Sequence, residues 1–214
     1  MIETYGDIVV TDEESRTDAT VCRVTASADS ANEIARQRNG FFFADRTVKT
    51  TISLSKTAVD LDRFIRLPII ETTAYKSDIL RIAAASFGYD RRFHVLPDCS
   101  TDVSGVVLKQ WVESLDSVFV ALFKEQPVGF LALKETAPDT LFVHLAAVEE
   151  KYRMTGAAMA LYANACKTAK ARGYKKLEGR VSTQNTAVMN VYAAFGATFS
   201  DPQDIFIKEV SHDA

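Results

Sequence analysis

Cysteine is scarce: Cys22, Cys99 and Cys166 are the only three, they lie far apart, and none belongs to a Cys-x-x-Cys pair. That excludes a disulfide framework and reads as structural thiols in a reducing cytosol. Long apolar runs are missing too, since none reaches the ~20 residues needed to span a bilayer. The chain opens on the polar Met1-Ile2-Glu3-Thr4, with no basic segment leading into an apolar core, so no secretory signal is expected. Nor is there an excess of positive charge. The 25 Lys and Arg against 28 Asp and Glu leave a formal net charge of -3, which gives no general attraction for nucleic acid or an anionic membrane. The expectation is a cytoplasmic protein that needs no nucleic acid, membrane or metal.

What is present suits a soluble globular protein. The 214 residues are 47% hydrophobic and 25% charged, enough to bury a core in one large or two small domains. Alternation predicts a strand over 20–26, an aromatic β piece over 41–44 and a strand over 47–54; a helix over 27–38 is closed by Asn39-Gly40. The polar, aperiodic stretch 55–62 is expected to link a first unit, 1–62, to a second, 63–214.

In the second unit a strand is expected over 63–70 despite Pro68, and a helix over 75–87 with Ile79, Ile82 and Ala83 on one face. An irregular stretch, 87–100, is rich in Arg, aromatic, Pro and Asp residues, and loops of that length tend to be functional. A helix over 102–115 and strands over 117–124, 128–134 and 141–148 follow. Then come an alanine-rich helix over 156–172, a strand over 176–182, a helix over 186–195 and a final strand over 205–210. Strands and helices in this mixed order imply an α/β sheet. A helix, a glycine, an aromatic residue and an alternating strand occur at Glu33 to Leu54 and again at Val188 to Val210. The echo reads either as chance or as a first unit that is a reduced copy of the end of the second.

Two groups of residues carry chemistry. The first is Arg153-Met154-Thr155-Gly156-Ala157-Ala158, at the junction of the strand ending Leu145-Ala146-Ala147-Val148 and the alanine-rich helix. A helix N-terminus presents amides without intrahelical partners and the positive end of the helix dipole, so it attracts anions. Small residues at 156–158 let the backbone approach a diphosphate closely. A structural helix start capped by Thr155 is the simpler alternative.

The second group is Asn185 and Tyr192, seven residues apart and therefore able to face the same way, two helical turns from each other. Singly, Asn185 reads as an N-cap and Tyr192 as a half-buried aromatic. Together they fit acyl transfer. When an amine displaces a thioester sulfur, a proton donor helps the thiolate leave, and a phenol with a pKa of about 10 keeps its proton at neutral pH.

These motifs resemble those of the GCN5-related N-acetyltransferase (GNAT) superfamily. Arg153-x-x-Gly156-x-Ala158 is similar to its Q/R-x-x-G-x-G/A loop, and Asn185 with Tyr192 and Gly196 is similar to its closing motif. The resemblance, over roughly Arg63 to Glu209, implies an α/β GNAT fold with a mixed, splayed central sheet, preceded by a small partial GNAT-like half-domain. It implies acetyl-coenzyme A as cosubstrate, the pantetheine arm lying between the strands 141–148 and 176–182. Cofactor contacts are then expected from Ala146, Val148, Arg153, Met154, Thr155, Gly156, Ala157, Ala158, Asn185 and Tyr192, with Tyr192 as general acid. Within the superfamily the layout, with Asn39-Gly40-Phe41, Phe87-Gly88-Tyr89-Asp90-Arg91-Arg92-Phe93 and Lys109-Gln110-Trp111-Val112, is similar to enzymes that acetylate a dTDP-linked 4-amino-4,6-dideoxy sugar. That implies a nucleotide-linked amino-deoxysugar as acceptor, in a pathway to surface polysaccharide.

His144 stands on the strand before the loop, in the same parity as Ala146 and Val148. That makes it either a structural residue or a base acting through water. Arg91, Arg92 and Phe93 suit a nucleotide diphosphate, the guanidiniums by bidentate contacts and the ring by stacking, or else they form a solvated loop. Two other functions fit the same residues: acetylation of another small amine or a protein N-terminus, and a non-catalytic acyl-coenzyme A binding module. Dimerisation is left open.

Overall fold

The apolar runs Val118–Phe123 (β6), Gln126–Ala137 (β7) and Thr140–Val148 (β8) form an antiparallel core sheet, and both of its faces are covered. Burial on two faces is why these strands read as near-continuous apolar sequence, with little alternation. The computed structural model describes residues 2–5, 8–16, 18–87, 109–115 and 118–210; Arg91, Arg92, Phe93 and most of the helix expected over 102–115 lie outside them. The other strands are β1 (Ile2–Tyr5), β2 (Ile8–Thr11), β3 (Val21–Ser27), β4 (Phe42–Ser53), β5 (Ile69–Thr72), β9 (Lys176–Ser182) and β10 (Thr198–Glu209). They join one ten-stranded sheet in the order β1-β2-β3-β10-β4-β9-β8-β7-β6-β5.

Helix α2 (Lys76–Phe87) lies on one face, with Ile79, Ile82 and Ala83 packed against Val120, Phe130, Ala132, Leu145 and Ala147. The opposite face takes α3 (Ala157–Ala171) and α4 (Thr186–Ala194), whose Leu161, Cys166 and Tyr192 join Leu131, Val143 and Leu177 in a second core. Buried alanines at 157, 160, 165 and 169 bring the α3 backbone close to the sheet. Helix α1 (Ser30–Arg38) leans on β4, and residues 109–113 are helical. No described helix is long and apolar enough to cross a membrane.

The structure departs from the sequence expectation in several elements: β1 and β2 precede the first strand expected, and three others are placed differently. The strand expected over 63–70 is a 3-10 turn at Asp62–Phe64, followed by β5 at Ile69–Thr72. Pro68 explains the shift: lacking an N–H it stays out of the ladder, and only its carbonyl engages, accepting from the Leu122 amide at 2.9 Å. The pieces expected over 41–44 and 47–54 are one strand, β4, because a bulge between its pairs with Ile205 and Phe206 absorbs Ala44. The last strand begins at Thr198, where exposed, non-alternating residues carry no burial signal.

The position of β4 bears on function. It belongs to 1–62, yet it lies between β9 and β10 of 63–214, paired antiparallel to both. Arg46 on β4 grips the fully buried Asp204 of β10 with two parallel bonds, Nε to Oδ1 at 2.6 Å and Nη2 to Oδ2 at 2.8 Å. Ser182 Oγ of β9 donates to Asp45 Oδ1 at 2.8 Å. Arg46→Met is expected to destabilise the protein by about 3 kcal/mol, because it strands a carboxylate in the core. Urea unfolding at neutral pH measures this, and a loss below about 1 kcal/mol would assign the pair the worth of a surface bridge.

Candidate active site

Strands β8 and β9 are parallel neighbours, but their ladder holds only three pairs: Thr140 with Lys176, Leu141 with Leu177 and Phe142 with Glu178. Beyond them Val143–Val148 and Gly179–Ser182 run on without pairing to each other, so the sheet opens into a slot. The opening coincides with an irregularity in β8. Val143 pairs with Leu133 and Leu145 with Ala132, which leaves His144 as the extra residue of a bulge. Strict alternation therefore stops at His144, and the parity that grouped it with Ala146 and Val148 does not run through this position.

At the open end, β8 leads from Val148 into a 3-10 turn, Glu150–Thr155, and then into α3. Gly156 joins the two at φ +82°, a left-handed conformation suited to glycine, and nothing lies within 4 Å of where a Cβ would stand. No side chain caps α3. Thr155 is not its cap; its hydroxyl donates backward to the Tyr152 carbonyl at 2.6 Å. The first turn of α3 thus has no side-chain cap, and the open space lies at Gly156, with Arg153 exposed beside it and Met154 97% exposed. An uncapped helix start, a left-handed glycine and free space fit a diphosphate, and the slot that leads to them fits an extended pantetheine arm.

Asn185 and Tyr192 take separate places. Asn185 is exposed and caps α4, its Oδ1 accepting from the Val188 amide at 3.2 Å. Tyr192 is 1% exposed. Its ring meets Tyr162 of α3 edge to face, centroids 5.0 Å apart and planes at 77°. Its hydroxyl sits on the Cα of Gly179, the first residue of β9 past the paired stretch: a Cβ there would lie 2.9 Å from Tyr192 Cζ and 3.1 Å from Thr50 Oγ1, and within contact of the phenolic oxygen. The phenol thus reaches the edge of the slot from the helix side. Burial pushes its pKa up to about 12, against contacts with Thr50 and Tyr162 that favour the ionised form.

His144 is exposed, at the wall of a cavity of about 430 Å³ that Leu115, Val118, Leu133 and Lys134 also line. Partial burial, with Lys134 nearby, holds its imidazole below the ordinary histidine value. The structure brings together the slot, the 153–158 turn and Tyr192; it sets Asn185 apart as a helix cap. The sequence reading missed Tyr162, Thr50 and Gly179. Only Gly179 carried a signal, as a glycine inside a strand, which marks a close approach by another group.

A parallel pair prised open beside an uncapped helix start suits an extended ligand that carries an anionic group at one end. Residues 79–197, more than half of the chain, match the family model described as acetyltransferase (GNAT) family. The chain belongs to that family and is an acetyl-coenzyme A dependent N-acetyltransferase. Among solved structures it is similar to a conserved protein of unknown function from Staphylococcus epidermidis, with a TM-score of 0.67, 15% identity and coverage of 89% of this chain and 73% of that one. It is also similar to a GCN5-related N-acetyltransferase from Sphaerobacter thermophilus (0.62, 17%, 89% and 60%). A GNAT-family acetyltransferase from Colwellia psychrerythraea shares the fold as well (0.57, 15%, 89% and 65%). No curated protein matches the chain.

Proposed function

We propose that the protein transfers an acetyl group to an amine of a nucleotide-linked amino-deoxysugar by direct attack in a ternary complex, with Tyr192 as general acid. The observation that carries the reading is the slot between β8 and β9, with the uncapped start of α3 at its open end and the Tyr192 phenol at its edge. Acetyl-coenzyme A, when bound, supplies an acyl thioester whose sulfur is the leaving group. The amides at Gly156, Ala157 and Ala158, with Arg153, hold the diphosphate, and the turn at Met154 and Thr155 shapes its seat. Backbone along Ala146 and Val148 lines the pantetheine path, and Asn185 fixes the start of the helix that presents Tyr192. The phenol gives its proton to the departing sulfur.

His144 accepts, directly or through water, the proton that the attacking amine sheds. Its imidazole is neutral above a pKa that lies below about 6.5, so the base form prevails at neutral pH and is lost as pH falls. The acid limb of kcat/KM is expected below pH 6.5 and should flatten in His144→Gln. An unchanged limb in that variant would remove His144 from the proton path.

The acceptor assignment is supported by the resemblance of 87–93 to amino-sugar acetyltransferases, Arg91 and Arg92 pairing with the nucleotide diphosphate and Phe93 stacking on its base. Thiol release from acetyl-coenzyme A over a panel of dTDP- and UDP-linked amino sugars tests it. Turnover with one of these, and a raised sugar-nucleotide KM in an Arg91→Ala, Arg92→Ala double variant, is the expected result. Turnover confined to unlinked amines or to peptide N-termini would overturn the acceptor while leaving the chemistry in place.

A further inference from the structure

Thr50 is fully buried, and its hydroxyl has no hydrogen-bond partner among the described residues. An orphaned buried hydroxyl costs free energy, about 1–3 kcal/mol, so it calls for an account. Thr50 sits mid-strand in β4, paired with Gly179 of β9 on one side and Phe199 of β10 on the other. Its Oγ1 and the Tyr192 oxygen converge over the Gly179 Cα, where the missing Cβ leaves room for both. The idle hydroxyl therefore stands beside the atom from which the proposed reaction removes a proton.

We propose that Thr50 is a positioning residue for the transfer, its hydroxyl donating to the Tyr192 oxygen once that oxygen has given up its proton, with Gly179 as the bare seat that lets the two meet. The inference rests on Tyr192 acting as the acid. In the step, the Tyr192 O–H bond breaks as an S–H bond forms, and the negative charge passes from sulfur to the phenolic oxygen. The Thr50 O–H then turns to that oxygen. The phenol regains its proton from solvent after the products leave, while the proton shed by the amine leaves separately by way of His144. A donor whose hold on the oxygen strengthens as charge develops stabilises the transition state over the ground state, which is what raises kcat. Contact with Thr50 already favours the ionised phenol, in opposition to burial.

The test combines Thr50→Val, Thr50→Ser and Tyr192→Phe, read by kcat, by KM and calorimetric affinity for acetyl-coenzyme A, and by melting midpoint. Thr50→Val is expected to lower kcat by about a hundredfold, the scale of one lost donor to a developing oxyanion, with cofactor affinity unchanged. Its melting midpoint should hold or rise, because an unsatisfied hydroxyl is replaced by a methyl of the same shape. Thr50→Ser, which keeps the oxygen, should restore most of kcat, and Thr50→Val should add nothing in the Tyr192→Phe background. Full kcat in Thr50→Val, or an undiminished loss on top of Tyr192→Phe, overturns the inference. Full activity in Tyr192→Phe itself overturns the acid reading beneath it, and the two failures are thereby told apart.

Discussion

Tyr192→Phe is expected to lower kcat by about 10²- to 10⁴-fold, the usual worth of a placed general acid, while acetyl-coenzyme A still binds. The substitution deletes one oxygen. The ring remains, and with it the edge-to-face contact to Tyr162 and the packing beneath α4, so the fold should survive. Burial pushes the phenol up to about 12, above the roughly 10 of a free tyrosine. Tyr192 therefore stays protonated through the whole neutral range and sets no alkaline limb there. The linkage has a defined sign: the folded state holds this proton more tightly than the unfolded chain, so the stability it contributes is present below about pH 10 and is lost as pH rises toward 12. Single-turnover thiol release with calorimetric binding separates the chemical step from affinity. Retained kcat in the phenylalanine variant would leave the slot as a binding site with some other acid.

Gly179→Ala is expected to be nearly as damaging, through geometry alone. The added methyl would lie 2.9 Å from Tyr192 Cζ and 3.1 Å from Thr50 Oγ1, and it would overlap the phenolic oxygen. The phenol has little room to retreat, since Tyr162 packs against its ring. Overpacking of this kind destabilises by about 1–3 kcal/mol, and a displacement of about 1 Å in a reacting group costs on the order of a hundredfold in rate. Both losses should shrink when Tyr192→Phe is combined with it, because the oxygen that the methyl strikes is gone. Thermal melts of the four proteins in the cycle measure this coupling, and equal losses in both backgrounds would place the tyrosine oxygen elsewhere.

Parts of the candidate site have local signatures in the sequence. The strand-to-helix turn around Gly156 and the phenol at Tyr192 follow from local chemistry: a left-handed glycine, small residues at a helix start, and an aromatic residue in a short helix. The mixed α/β order followed from periodicity, and β9 was expected with the bounds it has, Lys176–Ser182. What escaped was non-local. That Thr50 would stand beside Gly179 depends on a pairing across about 130 residues of sequence, and no window of the chain encodes it. The bulge at His144 is a misfit between β7 and β8, invisible in either strand by itself. Asn185 was legible in its simpler sense: the cap preference that makes asparagine common at helix starts is the role it fills.

The place of β4 has a consequence for how the chain is made. Synthesis runs from the amino end, so β4 leaves the ribosome with both of its flanking strands, β9 and β10, still to be translated. Until Lys176–Ser182 and Thr198–Glu209 emerge, a twelve-residue strand carries unpaired edges on both sides, an arrangement open to wrong pairing with other chains. Pairing of β4 is therefore expected to come late in folding, with deletion of β10 removing solubility together with activity.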